Sequence, residues 1–310
     1  MVGAPRIGIV GTGRVGASVA ISVLHSGIAR ELLLCDAHTA LAEGEAMDLS
    51  HGASFLPSAT VRSASIEDML DADAVVIAAG RNGRADESRL ALLRDNVAVV
   101  RGIAQRFAAF RGVLVIVTNP VDVLTFEAAA ASGLPHERVI GTGTMLDTAR
   151  LRQIIGTTLG LDSTSIHAQI VGEHGDSEVP LWSTAHAGGL ALRRFPGWTG
   201  GTETRIADQV RTAASDIIKR KGATNHAIGL VTAGLLRAVL RGENRVLTVS
   251  RVQSGVAGFA DVAFSLPSVV GADGAIKVVA PELNAEEQAQ LERSARVLRE
   301  ALAGVRSAAS

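Results

Sequence analysis

The sequence predicts an α/β protein, with a doubly wound parallel sheet over residues 1–141 and a C-terminal α+β unit over residues 142–310. Three observations carry this expectation. Short β-branched runs alternate with segments of helical apolar spacing through the first half. Those runs are apolar throughout rather than at every second position, as in strands covered on both faces. The alternation then gives way to a different rhythm after about Gly141.

The expected strands are "RIGIV", "ELLLC", "AVVIAA", "GVLVIV" and "RVIG", each followed by a segment that reads as helix or turn. Beyond them come a helix over 145–159, the strand-like run "SIHAQIVG", and long helices between about 203 and 240. Two further strand runs follow, "RVLTVS" and "DVAFSLPSVVG", the second leading into the polar turn "GADG". A charged amphipathic helix over 284–304 ends the pattern, and "FPGWTGGTET" reads as a surface turn. No internal repeat is present.

Composition narrows the function. With 47% apolar and 20% charged residues, the chain of 310 is an ordinary globular one. Its net charge of −1 leaves no broad basic field to hold a phosphate backbone, so nucleic acid is not expected as a partner. The single Cys35 lies in an apolar run and is expected to be buried and inert. No apolar stretch is long enough to span a membrane and no signal segment is recognisable, so a soluble, cytoplasmic protein is expected.

"RIGIVGTGRVGASVAISVL" places Gly11, Gly13 and Gly16 between a strand and a helix in G-x-G-x-x-G spacing. Alone that pattern is weak, and three glycines in a surface turn would be the plain reading. The next strand, however, ends in Asp36, twenty residues beyond Gly16, where an acid can accept hydrogen bonds from a ribose diol. This is the arrangement of a Rossmann-type dinucleotide site. Asp36 would repel a 2′-phosphate, and Ala37 and His38 offer no arginine to neutralise one. NAD is therefore expected rather than NADP.

The chemistry points to "GEHGDSEVPLW", where His174 follows a strand beside small and acidic residues. "GTGTMLDTARLR" carries Asp147 and Arg150, three apart and so on one helix face. "TNPVDVLT" puts Asn119 at a strand's carboxyl end, where open parallel sheets bind ligands. A lone histidine at such a place is commonly structural; its company gives this one meaning. His174 and Asp176 lack further ligands at a usable spacing, so no metal is expected, and no serine sits in a G-x-S-x-G turn.

Taken in order, the glycine turn, Asp36, "ESRL", "TNPVD", "LDTAR" and "GEHGDSEVP" resemble the L-lactate/malate dehydrogenase family, with the nearer likeness to its bacterial L-lactate dehydrogenases. "DLSHG", "KGATNHAIG" and "SVVG" extend the resemblance over almost the whole chain. It implies an NAD-dependent oxidoreductase of 2-hydroxy acids, with a glycolytic or fermentative role. His174 would be the general acid/base, Asp147 its orienting partner and Arg150 the anchor of the substrate carboxylate, held by two parallel hydrogen bonds. Asn119 would hold the ketone or hydroxyl beside the cofactor, and Thr224 would line the small end of the pocket. Arg89 would polarise the carbonyl from a loop that closes over the substrate.

That loop departs from the family. Six residues before Arg89, lactate enzymes typically carry Gln and malate enzymes Arg; here the position is Gly83, with Arg84 beside it. Three readings stay open. Gly83 makes room for a longer side chain; or Arg84 turns inward to pair a second carboxylate, as in a malate dehydrogenase; or pyruvate is handled less selectively. Thr224 favours a monocarboxylate, and Arg81 reads as a solvated loop charge. Arg152 and His167 match an effector site for fructose 1,6-bisphosphate, and the resemblance implies a homotetramer. A protein that binds NAD without turnover would need none of His174, Asp147, Arg150, Asn119 and Arg89 together.

Overall fold

A computed structural model of the chain describes residues 5–81 and 89–306. Gly83 and Arg84, and the side chain of Arg89, lie outside what is described. Six parallel strands form in the first half: β1 (Arg6–Val10), β2 (Glu31–Cys35), β3 (Thr60–Ser63), β4 (Ala74–Ile77), β5 (Val113–Ile116) and β6 (Val139–Gly141); five are the expected apolar runs, and β3, "TVRS", is a further edge strand with alternating exposure. They lie in the order β3-β2-β1-β4-β5-β6, so the winding reverses between β1 and β4. Ligands in such sheets bind at the carboxyl ends beside that reversal.

Four helices belong to this half: α1 (Arg14–Ser26), α2 (Thr39–His51), α3 (Arg89–Gln105) and α4 (Val121–Ser132). Successive side chains of a strand point to opposite faces, and each face has its own core. On β2, Leu33 packs with Ile77, Leu114 and Phe107 on one side, while Leu32 and Leu34 pack with Val76, Val23 and Leu236 on the other. All of these are at most marginally accessible, which is why the runs carry no polar alternation.

The second half contains α5 (Met145–Leu159), β7 (Ile166–His167), β8 (Ile170–Val171), β9 (Val179–Pro180), β10 (His186–Ala187), β11 (Leu190–Ala191), α6 (Gly200–Lys221), α7 (His226–Leu240), β12 (Arg245–Ser254), β13 (Ala260–Gly271), β14 (Gly274–Val278) and α8 (Ala285–Arg306). Several expectations need amendment. The strands β12 to β14 do not build a separate sheet: β12 pairs antiparallel with β6 at Ser250 and Gly141, giving one nine-stranded sheet across residue 141. "SIHAQIVG" is two short strands in two different small sheets. Gly222, in the left-handed region at φ +83°, ends α6 and separates it from α7.

"FPGWTGGTET" is a surface turn only at its start, where Pro196 and Gly197 are exposed. Thr199 caps α6 by accepting from the Thr202 N–H, and the helix already starts at Gly200. Trp198 is buried and donates its indole N–H to Glu203 at 3.0 Å. A glycine pair reads as a breaker in sequence, but here the cap and the buried indole outweigh their low helix propensity. A third core, with Leu151, Ile155, Ile170, Ile206 and Val210, joins α5 to α6.

Candidate active site

The nucleotide end is built from backbone. Gly11 has φ +97°, and a side chain there would stand 2.4 Å from the Ala79 nitrogen. At Gly16 a β-carbon would lie 1.8 Å from the Gly11 carbonyl oxygen, so only glycine lets α1 pack on the turn. Gly13, the N-cap of α1, faces open space, with no heavy atom within 4 Å of such a β-carbon. No side chain caps this terminus, which leaves first-turn N–H groups and the positive helix end for an anion. Asp36 stands alongside: its carboxylate accepts from the Thr12 N–H at 2.7 Å and from the His38 N–H at 3.0 Å. These residues fit a dinucleotide with a free ribose diol. Cys35, only partly buried, has its thiol pushed up chiefly by that burial.

At the catalytic end the structure brings His174, Asp147 and Arg150 together. Asp147 sits in the first turn of α5, 2% exposed. One oxygen takes the His174 Nδ1 at 2.5 Å and the other takes an Arg150 N–H at 2.8 Å. A single carboxylate thus joins the imidazole to the guanidinium, and it turns the histidine's Nε2 outward. Burial works against a charged ring, but Asp147 and then Asp122 raise His174 to about 9. Burial would likewise raise Asp147, and is outweighed by His174 and Arg150, which hold it low. Arg150 is therefore not left uncompensated in the absence of a substrate anion.

His174 owes its place to the turn after β8. Gly172 there has φ +86° and exchanges backbone hydrogen bonds with Ser265 at 2.8 and 2.9 Å. A β-carbon on Gly172 would meet the Ser294 hydroxyl at 2.7 Å. Glu173 accepts from the Ser177 hydroxyl and N–H, and its own N–H donates to Ser294 on α8 at 2.7 Å. Asn119 stands three residues beyond β5 in an exposed position, joined to Pro120 by a cis peptide bond.

The remaining expected residues are more scattered. Arg89 opens α3. Thr224 lies half-buried between α6 and α7 and, among the described residues, makes no side-chain hydrogen bond. Arg81 is not merely solvated: it pairs with Asp95 on α3 at 2.6 Å. Arg152 donates to the Ala168 carbonyl at 2.9 Å, next to His167, and its pKa is lowered first by burial and then by Arg245. His167 stacks on His186 with ring centroids 5.0 Å apart. Among the described residues no cluster could hold a metal ion.

Three residues were not singled out by sequence. Asp122, 2% exposed on α4, accepts from the His174 N–H at 2.7 Å, and burial raises it to about 6. Asn96, buried on α3, accepts from the Arg81 N–H at 2.9 Å and donates to the carbonyls of Arg81 and Asn119 at 3.2 Å each. Glu178 is raised to about 8 by burial and by Asp147, and has one oxygen without a partner. Asp122 closes "TNPVD" and Glu178 lies within "GEHGDSEVP", but neither motif by itself marks the residue as buried.

Residues 5–141 match the lactate/malate dehydrogenase NAD binding domain, and residues 144–308 match that family's alpha/beta C-terminal domain. The chain is 44% identical over 305 residues to an L-lactate dehydrogenase of Geobacillus kaustophilus (strain HTA426), covering 96% of each protein. It is 42% identical over 304 residues to one from Gloeobacter violaceus (strain ATCC 29082 / PCC 7421), covering 96% of this chain and 92% of that one. Among solved structures it resembles a minor L-lactate dehydrogenase from Enterococcus mundtii in a ligands-bound form, with TM-score 0.94 and 37% identity over 96% of this chain and 98% of that one. It also resembles a lactate dehydrogenase enzyme from a Medee basin deep-sea metagenome library, with TM-score 0.95 and 39% identity over 97% of this chain and 99% of that one.

Proposed function

The chain belongs to the lactate/malate dehydrogenase family, and on that premise we propose that it is an NAD-dependent L-lactate dehydrogenase, interconverting pyruvate and L-lactate. The observation that carries this is the bonded series Arg150–Asp147–His174, which sets an anion anchor beside a proton donor. When bound, the nicotinamide supplies the hydride for reduction and takes it back in oxidation. Arg150 keeps N–H groups beyond the one given to Asp147, and its planar fork suits the substrate carboxylate. His174 Nε2 then gives its proton to the ketone oxygen and recovers it in reverse. Asp147 stabilises the ring while it is charged and keeps Nδ1 turned away from the substrate. Asn119 orients the reacting oxygen beside the cofactor, and Arg89 adds positive charge where negative charge develops. Thr224 bounds the side-chain end of the pocket.

The proton-donor form of His174 dominates below about 9. Pyruvate reduction is accordingly sustained at neutral pH and falls as pH rises through that value, while lactate oxidation, which needs the free base, rises over the same interval. Initial rates with NADH and pyruvate, oxaloacetate or phenylpyruvate test the assignment, and pyruvate is expected to lead. A preference for oxaloacetate that disappears in Arg84→Ala would replace it with malate chemistry.

The same reading includes assembly and regulation. Phe55 is 90% exposed, Leu230 68% and Met47 60%, large apolar side chains that contacts between copies of the chain in a homotetramer would cover. Arg152 and Arg245, with His167 next to the Ala168 carbonyl that Arg152 holds, supply the positive charge and N–H donors suited to one phosphate of fructose 1,6-bisphosphate. Sedimentation tests the first point. For the second, the sugar bisphosphate is expected to lower the pyruvate concentration needed for half-saturation, and an unchanged value counts against it. No helix among the described residues is long and apolar enough to cross a membrane, and a cytoplasmic setting accompanies use of NAD.

A further inference from the structure

Three buried carboxylates surround His174, and the proposed chemistry uses only Asp147. Asp122 is the most closely engaged of the others. It belongs to the first turn of α4, six residues beyond the end of β5 and two beyond Pro120. One oxygen accepts from the His174 main-chain N–H at 2.7 Å. The other is buried without a hydrogen-bond partner, and the buried Ser250 hydroxyl of β12, also unpartnered, faces it.

A backbone N–H could be satisfied there by a neutral amide or carbonyl oxygen. A carboxylate is a costly choice, because desolvation opposes its charge. The positive end of α4 offsets some of that cost. The charge also acts on His174, whose ring gains from a nearby negative group while it carries its proton. We infer that Asp122 is a positioning residue for proton transfer: it clamps the His174 backbone, and its negative charge favours the protonated ring. This rests on the reading of His174 as the proton donor.

All groups around the ring bear on the sign. From α5, Asp147 favours the charged ring and Arg150 opposes it; from α4, Asp122 favours it. In the turn after β8, Glu173 acts on Asp122, and Glu178 feels the charges of Asp147, His174, Arg211 of α6 and Arg150. Asp122 itself, raised to about 6, is charged over the interval in which a ring titrating near 9 loses its proton. Its removal should therefore be felt on the alkaline side.

Asp122→Asn separates the two roles, since the amide oxygen can still accept from the His174 N–H but carries no charge. In the full-length protein with NADH, the alkaline limb of kcat/KM for pyruvate is expected to move down by roughly half to one pH unit. The His174 ring titration, followed by NMR, should move with it, and NADH affinity should not change. An unmoved limb and ring titration would overturn the inference and leave Asp122 a backbone clamp. If Asp122→Asn does not fold, Asp122→Ser decides the matter, since a hydroxyl can also accept from the His174 N–H and carries no charge. A downward shift of limb and ring titration supports the inference, and none overturns it. A wild-type protein inert toward pyruvate would overturn the proposed function, and the ring titrations would still decide the role of Asp122.

Discussion

The two ends of the site solve opposite problems. At the nucleotide end the working parts are missing side chains: Gly11 and Gly16 leave room for backbone to approach backbone, and Gly13 leaves room for a ligand. At the catalytic end the working parts are crowded, buried charges, in which Asp147 binds both Arg150 and His174 and Asp122 holds the latter's backbone. The first kind of site should tolerate changes in charge and fail on added volume. The second should tolerate small changes in volume and fail on lost charge. The difference sets which substitution is informative at each end.

The largest effect is expected at His174. His174→Asn keeps a side chain of similar width but removes the proton donor, so kcat should fall by about 10³- to 10⁴-fold with NADH affinity retained. Stopped-flow turnover and NADH fluorescence titration check the two halves. Loss of NADH binding in that variant would mean that the ends are not independent, and the contrast would break.

Gly16→Ala should come next, and through stability. Its β-carbon would stand 1.8 Å from the Gly11 carbonyl oxygen, a contact with backbone that no rotamer relieves. We expect a loss of about 3 kcal/mol or more, visible as a lower thermal midpoint. Arg150→Lys should act on the other axis. Charge is kept but the two-pronged grip is not, so kcat/KM for pyruvate should drop by about 10²-fold with the midpoint nearly unchanged. Phosphate or acetate should not rescue it.

The same contrast governs what sequence could reveal. Glycine spacing is a local pattern, and five of the six parallel strands announce themselves as continuous apolar runs; the edge strand β3, "TVRS", buries no full face and leaves no such mark. His174, Asp147 and Arg150 are legible too, though only through motifs that point to a family. Nothing in the chain indicates that β12 pairs with β6, because periodicity records which face a strand buries and not its neighbour. Asp122, Asn96 and Glu178 look like ordinary surface polar residues in the sequence. Their roles arise from burial by α3, α4 and the turn after β8, which only the assembled fold supplies. Trp198 is the mirror case, an aromatic in a glycine-rich stretch that turns inward because Glu203 accepts from its indole.

The smallest expected effect, at Gly13, is also the sharpest test of the contrast. It has φ −64°, which any residue adopts, and, unlike that of Gly16, its missing β-carbon points into open space. Gly13→Ala should therefore leave the thermal midpoint of the unliganded protein within about 1 kcal/mol of wild type, as for an unremarkable surface change. The added methyl group would occupy the space through which a pyrophosphate reaches the first-turn N–H groups of α1. NADH affinity should weaken by about tenfold, the effect of losing roughly 1.4 kcal/mol of contact. A variant that melts early without ligand would show that Gly13 serves the fold like Gly16. One that binds NADH as tightly as wild type would move the pyrophosphate elsewhere, and with it the reading of α1 as the anion-binding helix.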